Sequence, residues 1–277
     1  MPEDFKDTLH CAALGARTCW NAGGLDDLLI DKRVTDPVQR AKFLQKLAKS
    51  KHFSVFGHVF TYKEIGEEAA RELAATRLKT QYDLKEPGVL GISMRHYLEE
   101  FLSKHPEQID DFFNGIATFD TPIEVLGRKE NVALVGLVRE HGGYAAFHID
   151  DVSRTMTHQL VRHTASNYSQ RSQRYVSEQS NHAIIPPSIA ENPQTRGMFN
   201  DIVYHAYKAY NALLGSGVKK EDARFLLPHG ASTAIMVSGP FNRIQDLIQK
   251  RDHKGVQWEI KDTTQKMKYL LENNLAR

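Results

Sequence analysis

Val132-Ala133-Leu134-Val135-Gly136-Leu137-Val138 and, past Gly142-Gly143, Tyr144-Ala145-Ala146-Phe147-His148-Ile149 carry the reading of the fold. Both runs are short, apolar and bounded by polar or glycine residues, which predicts two strands joined by a turn. Asp150-Asp151 then opens a predicted helix through about Ala165, with acidic side chains at the positive end of its dipole. From Ser166 to Asn181 the chain is polar and without periodicity, which predicts a long loop, and loops of that length are usually functional or disordered. Further on, the spacing predicts an amphipathic helix over Asn192–Leu214, a short one that starts with Glu221–Arg224 and is ended by Pro228, a strand over Thr233–Ser238, and closing helices over Phe241–Arg251 and Val256–Leu275. Upstream, Pro37–Ser50, Lys63–Leu78 and Gly91–His105 also read as helices, with a turn at Lys85-Glu86-Pro87-Gly88. Many helices with few strands indicate an α+β class, one small sheet flanked by long helices.

The length of 277 residues allows a sizeable core, and 41% hydrophobic with 25% charged residues is an ordinary globular balance. No apolar run approaches the roughly 18 residues of a membrane span. Met1-Pro2-Glu3-Asp4 lacks the features of a signal peptide, so a cytoplasmic protein without a membrane partner is expected. The 36 basic and 34 acidic residues leave a net charge of +2, which gives no general reason to bind nucleic acid. Any anion site must be local. Cys11 and Cys19 are too few for a disulfide framework and read as reduced thiols.

The densest polar cluster is Gln159-Leu160-Val161-Arg162-His163-Thr164, followed by Ser169-Gln170-Arg171-Ser172-Gln173-Arg174-Tyr175. Gln159 and Arg162 are three apart and so share a helix face. Guanidinium groups with a hydroxyl and free loop amides suit a phosphate, and a solvated polar loop is the other reading. His158 and His163 are five apart and fall on different helix faces, so no metal pair is expected. An RNA contact lacks the aromatic-bearing sheet motif that would accompany it. Arg224 beside Phe225-Leu226-Leu227-Pro228, and Arg251 ahead of Gly255–Ile260, read singly as surface arginines next to core residues.

Taken together, Asp151-Val152-Ser153-Arg154, His158–His163 and Ser172-Gln173-Arg174-Tyr175-Val176 resemble the signature segment of flavin-dependent thymidylate synthases, Arg-His-Arg followed after seven residues by Ser. Arg162, His163 and Ser172 stand at that spacing, with Thr164 in the third position. Glu221–Pro228 and Arg251–Ile260 look like two further blocks of the family in the right order, and Ala13–Trp20 is similar to its first helix. Residues 63–137 have no counterpart and read as a helical insertion in a single domain spanning 1–277.

The resemblance implies conversion of dUMP to dTMP with methylenetetrahydrofolate as carbon donor, FAD as hydride carrier and NADPH as reductant, in a homotetramer whose sites draw on several subunits. It assigns Gln159, Arg162, Gln170, Ser172, Gln173, Arg174 and Arg224 to dUMP, and Arg251 to the uracil as the catalytic arginine. His52, Ser54, His163, Thr164, Asn242 and Asp246 fall at positions that contact FAD. Neither cysteine follows a proline, so the covalent route of classical thymidylate synthases is not supported. Gly57 stands where the family usually has Glu, and Pro240-Phe241-Asn242 where it usually has Asn-Ala-Arg. Two alternatives stay open: a divergent enzyme that modifies a pyrimidine nucleotide differently, for example by hydroxymethylation, and a dUMP-binding homologue without catalysis.

Overall fold

Eight strands carry the fold: β1 (Phe60–Glu64), β2 (Tyr82–Glu86), β3 (Val89–Ser93), β4 (Gly127–Lys129), β5 (Val132–Val138), β6 (Tyr144–Ser153), β7 (Asn167–Gln170) and β8 (Ser232–Pro240). The computed structural model describes residues 2–75, 82–119, 123–178 and 182–276. β4-β5-β6-β8-β7 form one antiparallel sheet, and β1-β3-β2 a smaller one. The two runs at the centre of the sequence pair as neighbours, from Val132 opposite Ile149 to Val138 opposite Tyr144.

Side chains of a strand alternate between its faces, and both faces of β5, β6 and β8 are covered. Val135, Ala146 and Met236 enter one core with Cys11 and Leu14 of helix α1 (Leu9–Trp20) and Leu44 of α2 (Pro37–Lys49). Their neighbours Leu134, Phe147 and Ile235 enter the other. The longer helices that follow are α3 (Glu67–Ala75), α4 (Ile109–Ile116), α5 (Arg154–Leu160), α6 (Pro193–Gly215), α7 (Phe241–Lys250) and α8 (Trp258–Leu275). Ile244 and Leu247 of α7, with Ile260 and Met267 of α8, close that second core. The mixed class expected from sequence is the one observed.

Three local expectations are corrected. The strand β6 runs through Asp150 and Asp151 to Ser153, because Thr233 and Ser232 of β8 continue the ladder past a bulge at which Asp151 takes φ 48°. Helix α5 therefore starts at Arg154, capped by the Ser153 hydroxyl on the Met156 amide, and ends at Leu160. Arg162 then lies beyond the helix, not on a face shared with Gln159. The expected loop from Ser166 holds β7, drawn into the sheet by β8, while residues 179–181 of that stretch lie outside the described residues.

The segment 63–137 is mixed rather than helical. Val89-Leu90-Gly91-Ile92-Ser93 is a short apolar run bounded by Gly88, whose φ of 86° closes the β2–β3 hairpin, and it pairs with β1 from Phe60–Ser93 to Glu64–Val89. Helical turns start only at Met94. Helix α3 covers part of the expected Lys63–Leu78 helix, whose last residues, 76–78, lie outside the described residues. β4 and β5, whose residues 132–137 fall in this segment, belong to the larger sheet.

Candidate active site

Helix α5 is fixed from three sides. At its start, the buried Glu259 carboxylate accepts from the Ser153 amide (2.6 Å) and hydroxyl (2.5 Å). Beside it, the Gln170 side-chain amide donates to the Thr157 hydroxyl (2.7 Å), tying β7 to the helix. At its end, the Tyr168 hydroxyl donates to the His163 carbonyl (2.8 Å).

Around this end lie many of the residues singled out by sequence. Arg251, which follows α7, donates through Nη2 to the Gln159 carbonyl (3.1 Å), and its Nε is buried with no partner among the described residues. His163 is buried, with Nε2 3.1 Å from the Arg243 carbonyl and 3.6 Å from Asp246 Oδ2. A carbonyl can only accept, so Nε2 carries the proton. Burial lowers the His163 pKa, against the opposing pull of Asp246. Arg162 and Thr164 are exposed on the turn.

The Ser172–Arg174 loop forms a second part. The Ser172 amide donates to the Cys19 carbonyl (3.0 Å), and its hydroxyl accepts from the Arg174 amide (3.2 Å). The Glu221 carboxylate accepts from Arg174 Nε at 3.3 Å, while the Glu221 carbonyl accepts from Arg224 Nε at 3.1 Å. Gln173 and Arg224 line a cavity of about 420 Å³ together with Arg154, His158, Phe225 and His229. Arg154 also donates to the Arg171 carbonyl (2.6 Å), which sets the path of the loop.

The residues assigned to FAD fall into two groups. His52 and Ser54 are exposed at the turn Phe53–His58, and the His52 ring meets Trp20 edge-on at 6.0 Å. That turn is docked on β7 by the Asn167 amide, which donates to the Gly57 carbonyl (2.9 Å), and by His58, hydrogen-bonded to Ser169 at 2.9 Å. A Cβ at Gly57 would stand 2.5 Å from Asn167 Oδ1, so a side chain at this position has to displace the Asn167 amide. The second group is His163, Asp246 and Asn242. Asn242 Nδ2 donates to the buried Asp83 of β2 (3.1 Å), while Asn242 Oδ1 and Arg243 Nε are buried without a partner among the described residues. Those orphaned groups at the start of α7 fit a polar ligand such as a dinucleotide cofactor.

Sequence reasoning did not assign Arg154, His229, Glu221, Tyr175 or Asp83 to the site. Arg154 stood inside the quoted motif and could have been found there. Asp83 lies in the segment without counterpart, where no motif signals it. Among the described residues no group of three or more His, Cys, Asp or Glu could hold a metal ion, and no helix is long and apolar enough to cross a membrane. His158 packs edge-on against His229 at 5.4 Å, away from the partners of His163.

The chain is 37% identical over 126 residues to a flavin-dependent thymidylate synthase of Geobacter sulfurreducens, an alignment covering 45% of this chain and 54% of the relative. It is 36% identical over 132 residues to the enzyme of the same description in Saccharolobus solfataricus, covering 47% of this chain and 50% of that one. The chain thus spans about half the length of the curated relatives it matches. Among solved structures, a UMP/dUMP methylase from Streptomyces cacaoi bound with 5-Br dUMP aligns at 18% identity and a TM-score of 0.44, over 47% of this chain and 67% of that one. Residues 137–275, half of the chain, match the family described as thymidylate synthase complementing protein, and these residues include α5, the Ser172–Arg174 loop, Arg224 and Arg251. The chain belongs to that family, that of the flavin-dependent thymidylate synthases.

Proposed function

We propose that the protein converts dUMP to dTMP, taking the carbon from methylenetetrahydrofolate and the reducing equivalents from NADPH. Bound FAD supplies the hydride. The observation that carries this reading is the convergence of Arg174 and Arg224 on Glu221, beside the cavity lined by Gln173 and Arg224. Two guanidinium groups held next to a polar cavity suit the 5′-phosphate of a nucleotide, and Ser172 and Gln170 on the same loop and strand add donors.

Arg251 is the residue that acts on the base. A uracil carbon becomes nucleophilic only as negative charge builds in the ring, and a guanidinium fixed beside it stabilises that charge. Its bond to the Gln159 carbonyl leaves other N–H groups for a ligand, and the orphaned Nε is one of them. Gln159 and Arg162 then face the nucleotide from the end of α5. His163, Thr164, Asn242 and Asp246 form one wall of the flavin site and His52 with Ser54 the other.

A homotetramer accounts for the separation of the parts within one chain. Helix α6 buries only Val203, Tyr207 and Tyr210 of its 23 residues, and Ile202 (67% exposed) and Phe225 (83%) are left for a second copy. Such a site would draw on several subunits. The small sheet β1-β3-β2 packs beside the start of α7, where Asp83 accepts from Asn242.

Purified protein supplied with FAD, methylenetetrahydrofolate and NADPH tests the reading. It requires NADPH oxidation and loss of the uracil C5 hydrogen that both depend on dUMP. A protein that binds dUMP and turns nothing over would remove it.

A further inference from the structure

A second cavity, of about 590 Å³, opens beside Trp20. Its apolar lining comes from Trp20, Phe43 and Leu47, and its polar lining includes Arg33, Lys42, Lys46 and His52, the last shared with the proposed flavin wall. Among the described residues no aspartate or glutamate lines it. Arg33 shares Asp31 with Arg17, at 3.0 and 2.6 Å, so those three groups together leave one positive charge. Lys42 and Lys46 are both exposed on α2 and form no ion pair among the described residues, whereas Lys49 reaches Asp110 at 2.5 Å. Like charges four residues apart on a helix disfavour each other slightly, and here both stand over an apolar concavity with an exposed indole.

The cavity adjoins the nucleotide side. Trp20 meets Tyr175 edge-on at 6.2 Å, and the residue before it, Cys19, accepts from the Ser172 amide. A ligand lying along the cavity therefore has one end beside the Ser172–Arg174 loop and the other among the lysines of α2.

We propose that this cavity binds the oligoglutamyl tail of the one-carbon carrier, with the carrier's planar part toward Trp20 and the tail carboxylates on Lys42 and Lys46. The proposal rests on the folate donor assigned above. The two lysines lie about 6 Å apart along the helix, a spacing that linked glutamates can bridge. The apolar walls accept the planar part, and the absence of carboxylates from the lining removes the repulsion that would oppose a polyanion.

Two tryptophans are present, so a Trp258→Phe background makes fluorescence report on Trp20. Titrating the full chain with tetrahydrofolate carrying one or four glutamates, at low salt and with dUMP present, is expected to show the longer form binding about tenfold tighter. In a Lys42→Gln/Lys46→Gln variant that preference disappears, while retention of FAD and the melting temperature stay as they were. Equal affinities for both forms in the parent protein, or a preference that survives in the variant, overturns the tail site and leaves the donor reading intact. Loss of FAD from the variant with the preference unchanged assigns the lysines to a diphosphate and also overturns it. No binding of either folate form overturns both the tail site and the donor reading.

Discussion

Glu221 holds Arg174 in place: its carboxylate lies 3.3 Å from both Nε and Nη2 of that arginine, and its carbonyl takes the Nε of Arg224. A phosphate arriving at the two arginines has to displace the carboxylate from Arg174 and share the space with its charge. Glu221→Gln removes the charge and keeps the shape. Calorimetric titration with dUMP is expected to show about three- to tenfold tighter binding in Glu221→Gln. Weaker binding would mean that Glu221 orients the arginine for the nucleotide instead of competing with it.

Arg251→Ala tests the arginine assigned to the uracil. It loses one bond to a backbone carbonyl, worth about 1 kcal/mol, so urea unfolding should shift little. Turnover should fall by at least about a hundredfold, the loss seen when a group that stabilises developing charge is removed. Retained turnover would take the role from Arg251.

Gly57→Glu restores the residue usual in the family, and here its side chain has to displace Asn167. With Asn167 Oδ1 2.5 Å from a Cβ at this position, the substitution should cost about 1–3 kcal/mol in urea unfolding. Asn167→Ala in the same chain opens the space and should recover part of that loss. Equal penalties with and without Asn167 would show that the crowding is not the cause.

Acid should destabilise the fold through buried histidines. Burial pushes His58 down to about 3 and His10 down to about 4, from an ordinary value of 6.5. Both are neutral when folded, and an unfolded chain protonates them below about pH 6.5. Their contribution is therefore present above pH 6.5 and is lost as pH falls toward those lowered values, at about 1.4 kcal/mol per pH unit for each. Urea unfolding between pH 6.5 and 4.5 should show this slope, reduced in His58→Asn. An unchanged slope in that variant would remove His58 as a cause.

How much of this was legible in the sequence depends on what kind of information each residue carries. The pairing of Val132–Val138 with Tyr144–Ile149 follows from apolar runs and a turn, which are local properties. Acidic residues at Asp150 and Asp151 mimic the first turn of a helix, while the true cap, Ser153, is fixed by the distant Glu259 and by the ladder with β8. β7 was hidden for the same reason: its polar residues become a strand only because β8 offers an edge. The arginines of the site were marked by motif spacing, but their partner Glu221 is 47 residues from Arg174, and no spacing announces that contact. Asp83 reaches Asn242 across 159 residues from a segment without a recognisable pattern.

The fate of the donated carbon tests the account most directly. The full chain is incubated with dUMP, FAD, NADPH and methylenetetrahydrofolate labelled with ¹³C in its methylene group, and the pyrimidine product is examined by mass spectrometry and NMR. The proposal requires dTMP with the label in the C5 methyl group. A labelled hydroxymethyl group on the ring, or dUMP recovered unlabelled from a protein that binds it, would contradict the account.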